Sequence, residues 1–291
     1  MKEKRFCWLF ILIGISLSAQ IKGVVVDEFN KPISYVNIWV QNENNSTTSE
    51  ENGEFSINVL GSKNLIFSAL GFEKKTIKAA DAEKVTLKSN ALELNEIIIV
   101  KRYESKVIEI GKVKNQNSQA FENGPRMDAK YFPYLPKYKK TKFIKQVIFF
   151  TDIKLESASF KVHFYAVASD GSPGEELLHK DFLVSVKNGV KKTFFDVTDF
   201  NLKMPKTGIF VGFEKLIIEK NKLEKEVVDI NTKTTTIQKT YFPYVLYNFV
   251  ESEFIYTFSG GKWKKKTKGN ISNPLEKMSA YEPAINLILT N

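Results

Sequence analysis

Histidine and cysteine set the first limit on what chemistry this chain can do. Its 291 residues hold two histidines, His163 and His179, and one cysteine, Cys7. A multi-histidine metal centre or a Cys-His nucleophile has almost no material to be built from. His163 stands inside an alternating run, between Val162 and Phe164, so its side chain shares a face with Lys161 and Tyr165. There it packs or meets solvent and has no evident titrating role. Asp170, Glu175 and Glu176 concentrate carboxylates around Asp170-Gly171-Ser172-Pro173-Gly174, a composition that suits a turn. Calcium takes oxygen ligands of this kind, but the order lacks the Asp/Asn alternation of an EF-hand, and the simpler reading is a solvated turn with no metal. Asp196 and Asp199 flank a further turn. Carboxylates are plentiful, yet no spacing singles out a glycosidase pair, so a hydrolase with an unrecognised carboxylate site is only a third reading and no catalytic residue is named.

The aromatic residues offer a different chemistry. Tyr131-Phe132-Pro133-Tyr134 recurs 110 residues later as Tyr241-Phe242-Pro243-Tyr244, and Trp263 stands in the cationic run Lys262-Trp263-Lys264-Lys265-Lys266. The flanking residues of the two tyrosine segments differ, and the interval is too long for a solenoid unit. Strand-edge packing beside prolines explains the pair, and a strand with a solvated end explains the lysines, which also discourage edge-to-edge aggregation. The alternative is an aromatic platform for sugar rings, which makes Trp263, Tyr131, Tyr134, Tyr241 and Tyr244 the candidate ligand-binding residues. Exposed, coplanar rings on one sheet face would favour it; burial of these segments and of Trp39 would remove its motivation.

These residues need elements to position them, and the composition indicates strands. With 43% hydrophobic and 26% charged residues the chain is neither disordered nor disulfide-stapled. Residues 1–19 read as a secretory signal: Lys2, Lys4 and Arg5 precede an apolar run, 6–17, that ends in Leu17-Ser18-Ala19. That run falls short of the roughly 20 residues needed to span a bilayer, and no later stretch is long enough either. Cleavage after Ala19 removes Cys7, so packing and sheet hydrogen bonds must stabilise the mature chain. The net charge falls from +10 to +8, divided as −3 over 20–100 and +11 over 101–291. The asymmetry marks a domain boundary. Arginine occurs only at positions 5, 102 and 126, which argues against nucleic acid, because phosphate and base edges are read by arginine forks.

From Ile21 the apolar residues recur with period two in short runs: 21–26, 35–40, 54–59, 64–69, 75–78 and 85–87, with Asn52-Gly53 a strong turn signal and 41–52 a loop or weak edge strand. The segments Ile21-Lys22-Gly23-Val24-Val25-Val26-Asp27, Lys31-Pro32-Ile33, Tyr35-Val36-Asn37-Ile38, Asn52-Gly53-Glu54-Phe55-Ser56-Ile57 and Leu65-Ile66-Phe67-Ser68-Ala69-Leu70-Gly71-Phe72 resemble the carboxypeptidase-regulatory-like domain of exported Bacteroidetes-type proteins. The match covers about 20–87, and Asn45-Ser46-Thr47-Thr48 departs from the family's glycine-threonine pair. The resemblance implies a seven-stranded transthyretin-like Greek-key sandwich. It does not imply peptidase activity: Phe164-Tyr165-Ala166 follows His163 and Lys180-Asp181-Phe182 follows His179, so neither begins a His-x-x-Glu zinc pair. The tail 92–100 resembles the segment leading to the plug of TonB-dependent receptors, but the 191 residues from Lys101 are too few for such a barrel.

Residues 101–142 read as a linker with a possible strand at 107–110. Beyond it, strands at 143–150, 158–167, 183–186, 193–197, 207–216, 249–258, 262–264 and 284–289 form a larger antiparallel sandwich with a jelly-roll-like pattern, and 220–239 reads as a polar loop or irregular edge. The expected fold is all-β with two domains, 20–100 and 143–291. The expected role is non-enzymatic interaction or scaffolding in the periplasm or at the outer membrane, through a protein or glycan partner and with no cofactor. A carbohydrate-binding module is the runner-up.

Overall fold

The structure, a computed structural model, describes residues 20–90, 104–112, 118–121, 124, 126–267 and 278–291. The signal segment 1–19 and the tail 92–100 lie outside the described residues. Seven strands make the first domain among them: β1 (Gln20–Val26), β2 (Asn37–Val40), β3 (Ser46–Thr48), β4 (Glu54–Asn58), β5 (Asn64–Ser68), β6 (Lys75–Lys78) and β7 (Lys84–Thr86). They form one sheet in the order β4-β1-β7 and a second in the order β3-β2-β5-β6. Strand β1 runs parallel to β7, and the other neighbours are antiparallel. Alternation supplies the core: β4 exposes Glu54, Ser56 and Asn58 and buries Phe55 and Ile57, which join Ile38, Val40, Leu65, Phe67 and Val85.

Strand β2 breaks the alternation, since all four of its residues are buried. Ile38 and Val40 enter the sandwich core. Asn37 and Trp39 occupy the opposite face, which in an isolated sandwich would meet water. Here the second domain covers it, and the Trp39 ring packs edge-on to Phe258 at 5.5 Å.

The second domain contains β8 (Val107–Ile110), β9 (Ser118–Ala120), β10 (Met127–Phe132), β11 (Phe143–Val167), β12 (Pro173–Glu176), β13 (Phe182–Asp196), β14 (Ile209–Lys215), β15 (Lys222–Val228), β16 (Thr235–Tyr241), β17 (Tyr244–Ser252), β18 (Ile255–Ser259), β19 (Lys262–Lys266), β20 (Met278–Pro283) and β21 (Ile285–Thr290). Strand β11 joins the two runs 143–150 and 158–167 that the sequence separates over 151–157. A straight strand would place Phe149 and Phe160 roughly 35 Å apart, yet their rings lie 5.0 Å apart. The strand therefore doubles over, and β13 follows it along both arms through a register shift between Ile153 and Ser157. One arm pairs with β21 through Phe143–Phe149, and the other pairs with β14 through Phe160–Tyr165. The two arms face each other across a core that includes Val147, Phe149, Phe160, Phe164, Phe213 and Leu287. The result is an antiparallel sandwich whose layers share one folded ribbon.

Within the expected linker, β8 and β10 are strands of this sandwich. Strand β8 pairs with β21, and β10 lies between β14 and β18. Charged residues disguise β10, because Asp128 and Lys130 are both buried. Asp128 accepts hydrogen bonds from the Tyr247 hydroxyl (2.6 Å), the Thr257 hydroxyl (2.6 Å) and Arg126 Nε (3.1 Å). Lys130 Nζ donates to the Gly111 carbonyl and pairs with Glu282, both at 2.8 Å. The segment read as an irregular edge is the regular ribbon β15–β16, whose strands are exposed along most of their length and so carry no apolar period.

The two domains are docked by several specific contacts. Ile217 N–H donates to Thr48 Oγ1 (3.1 Å), Glu219 N–H to Glu50 Oε1 (2.8 Å) and Asn42 N–H to the Gly260 carbonyl (3.3 Å). Gly260 and Gly261 (φ 61° and 87°) form the two-residue turn between β18 and β19, where positive φ at both central positions suits the strand twist. A Cβ on Gly261 would stand 2.6 Å from Ile66 Cδ1, so glycine allows the hairpin tip to press against the first domain. This hairpin brings Trp263 to the domain boundary.

Candidate functional site

Alternation on the second arm of β11 sends Phe160, Val162 and Phe164 into the core and Ser159, Lys161, His163 and Tyr165 to the opposite face. That face would be solvated in a free sandwich. Ser159 and Lys161 are nonetheless buried: Asn221 and Ser185 cover Ser159, and Lys161 reaches the first domain at Tyr35. The register places Glu214 of β14 opposite Lys161, and Gly212, which adds no side chain, opposite His163. On the other edge, β12 pairs Glu176 with Tyr165.

The outcome is a buried charged chain. His163 Nδ1 donates to Glu176 Oε2 at 2.8 Å, and Nε2 donates to Glu214 Oε2 at 3.0 Å. Glu176 Oε1 also accepts the Phe164 N–H at 2.8 Å. Lys161 Nζ pairs with Asp181 at 2.6 Å and crosses the domain boundary to donate to the Tyr35 carbonyl at 2.9 Å. Tyr35 holds the left-handed conformation, φ 56°, an uncommon state for a bulky residue, at this contact.

Burial alone would disfavour the imidazolium of His163. The negative charge of Glu176 and the hydrogen bonds to Glu176 and Glu214 more than offset it, raising the pKa to about 10. Both ring nitrogens then carry protons at neutral pH. Burial likewise works against the Glu214 carboxylate, but His163, with Lys161 and Asn37 nearby, holds its pKa below the usual range. Burial, together with the charges of Glu176 and Glu214, pushes the Tyr165 hydroxyl well above 10.

Above this chain lies a cleft of about 510 Å³ between the domains. One wall is a series of aromatic contacts: Trp39 on Phe258 (5.5 Å), Phe258 on Trp263 (5.3 Å) and Trp263 on Tyr165 (5.4 Å), all edge-on, followed by Tyr165 stacked on His163 at 5.6 Å and 12°. Polar groups complete the lining: Glu176 and Glu214 flank His163 at the end of this row, with Glu175, Asp181, Lys74 and Lys262 also on the cleft. Of two buried lining atoms, Trp39 Nε1 has no hydrogen-bond partner, and Glu214 Oε1 has no closely aligned donor beyond the neighbouring Asn37 amide.

Of the five aromatic candidates, Trp263 lines this cleft. Tyr131 is half-buried against Phe210 and Phe254, and its hydroxyl donates to the Thr207 carbonyl. Tyr134 stands edge-on to Tyr138. Tyr241 lines a second cleft between the domains, about 740 Å³, beside Thr48 and Glu50. Tyr244 packs on Phe242, with the Lys215 ammonium 5.1 Å from its ring. The two tyrosine segments thus face different surroundings, and their shared feature is a buried phenylalanine, Phe132 or Phe242, in the core. Trp39 is buried as well. Asp170 and Asp196 cap their own turns, accepting from Ser172 and Thr198. Among the described residues no group of three or more His, Cys, Asp or Glu is arranged to hold a metal ion.

Sequence reasoning passed over Glu214 and the role of His163, and it placed Glu176 in a solvated turn, whereas Glu176 ends strand β12 and pairs with His163. A signal was available: Glu214 interrupts the apolar run 207–216, and a carboxylate inside a central strand requires a partner. The two consecutive glycines at 260 and 261, between alternating runs, were a second signal, for the hairpin that delivers Trp263.

Fold and site together define a two-domain β protein with a polar and aromatic cleft at the domain boundary. Its first domain is a CarboxypepD_reg-like domain: that family's model matches residues 21–99. The curated TonB-dependent receptor P39 of Formosa agariphila is 25% identical over 124 residues, covering 41% of this chain and 12% of the receptor. The chain therefore corresponds to a small part of that relative's length. Two solved structures of infectious bursal disease virus overlap it, the VP2 subviral particle (TM-score 0.24, 11% identity, 88% of this chain and 56% of that one) and the Gx strain (TM-score 0.24, 10% identity, 88% and 60%). Overlap at that level carries no argument. Among the described residues no helix is long and apolar enough to cross a membrane, which says nothing of strands.

Proposed function

We propose that the protein is a non-catalytic interaction or scaffolding component of the cell envelope, with its first domain docked on a larger ligand-bearing sandwich. The envelope setting draws on the CarboxypepD_reg-like domain and on the relative whose name is that of a TonB-dependent receptor. The signal segment read at 1–19 agrees with export.

The observation that carries the non-catalytic reading is the state of His163. An imidazole with both nitrogens engaged by carboxylates, and with its pKa raised to about 10, has no free lone pair to accept a proton near neutrality. Glu214, held below the usual carboxylate range, is equally unsuited to be a general acid. The groups of the cleft that look most reactive neutralise one another.

Two measurements test this. Fractionation of cells expressing the full chain is expected to recover it with the envelope, and incubation with panels of nitrophenyl glycosides and esters is expected to give no turnover above blank. Recovery in the cytosol, or turnover abolished by Glu214→Gln, would contradict the proposal.

A further inference from the structure

The interdomain cleft contains more than a docking interface requires. An interface needs its polar atoms paired, yet Trp39 Nε1 is buried at the cleft without a partner, and Glu214 Oε1 has no closely aligned donor beyond the neighbouring Asn37 amide. An orphaned donor and a poorly satisfied acceptor each carry a desolvation cost that a ligand group can relieve. The cleft's volume of about 510 Å³ lies within the range of small-ligand sites, and two aromatic side chains from different domains, Trp39 and Trp263, contribute to its lining.

Charge decides which ligand suits it. The lining carboxylates Glu175, Glu176, Asp181 and Glu214 are matched by Lys74, Lys161, Lys262 and the His163 imidazolium. Several of these already pair with one another: Lys161 with Asp181, and His163 with Glu176 and Glu214. A cleft without net charge gives neither an anion nor a cation a long-range advantage. What it offers is an aromatic surface for apolar C–H faces, and beside it a donor and an acceptor for groups that both give and take hydrogen bonds. Hydroxyl groups do both.

We infer that the cleft is a binding site for a neutral sugar, with ring faces against Trp263 and hydroxyls satisfying Glu214 Oε1 and Trp39 Nε1. Both atoms are covered in this conformation, so the ligand reaches them as the surrounding side chains move aside. The site differs from an aromatic platform built on the tyrosine segments, because it requires both domains and draws one candidate residue, Trp263, from that set. It adds a ligand class to the interaction role and stands apart from the envelope setting, which fractionation tests separately.

The test is isothermal titration calorimetry of the full chain against neutral tri- to hexasaccharides of glucose, mannose, xylose and galactose, with an oligouronate as the charged comparison. At least one neutral series is expected to bind, the oligouronate to bind at least tenfold more weakly, and Trp263→Ala to weaken binding at least tenfold. Glu214→Gln is expected to weaken it similarly, whereas Tyr241→Ala, in the other cleft, leaves it unchanged. Circular dichroism of each variant establishes that it is folded, and Trp263→Ala serves where Glu214→Gln is not. No heat with any neutral series at millimolar concentration, preference for the oligouronate, or full affinity in folded Trp263→Ala would overturn the inference.

Discussion

Replacing His163 with leucine is expected to destabilise the folded chain by about 3–5 kcal/mol, the usual cost of removing one partner from a buried ion pair. The imidazolium lies between Glu176 and Glu214, and its loss leaves two carboxylates facing each other in a site from which water is largely excluded. In thermal unfolding this corresponds to a drop in Tm of roughly 10 °C for a protein of this size. The pH dependence identifies the cause. Because the folded pKa of His163 is raised, to about 10, above an unfolded value of 6.5, its contribution is complete below about pH 6.5 and declines as pH rises toward 10. Glu214, whose folded pKa is lowered, contributes in the opposite sense: its share is present above the ordinary carboxylate pKa and is lost as pH falls. His163→Leu should abolish the alkaline decline, and a mutant curve parallel to wild type between pH 6.5 and 10 would refute the assignment.

Asp128→Ala is expected to have a comparable effect, about 3–4 kcal/mol, within the second domain. The carboxylate is buried and accepts from two hydroxyls and Arg126 across three strands, β10, β17 and β18. Hydrogen bonds to a charged acceptor are each worth about 1.5–3 kcal/mol, and those sharing one acceptor do not add. Asp128→Asn keeps one acceptor oxygen and should cost clearly less than alanine. Equal losses for the two in calorimetric unfolding would mean that packing, and not hydrogen bonding, holds β10 in place.

The legibility of this chain follows from which contacts are local. The first domain could be read almost strand for strand, because its sheets alternate apolar and polar residues between glycine and asparagine turns, as in β4 with Phe55 and Ile57 inward. In the second domain, residues 151–157, where the apolar runs lapse, looked like a break between strands, whereas the chain uses them to fold β11 over its own core. Strand β10 was hidden because its inward residues are charged, and the β15–β16 ribbon because it has no buried face. The site was the least legible. Its chemistry depends on pairs such as Lys161 with Tyr35, 126 residues apart, and on one domain covering the polar face of another. The all-buried strand β2 records that covering, but only the structure shows what covers it.

The non-catalytic character of the cleft depends on His163 being an imidazolium clamped by two carboxylates and not a titrating base. Since the chain has only two histidines, NMR of the imidazole carbons across a pH titration, assigned with a His179 variant, reports on it directly. His163 is expected to remain protonated through neutrality and to titrate at about pH 10. A His163 signal that moves through a midpoint near 6.5 in the folded protein would contradict the account, and would restore this residue as a candidate base.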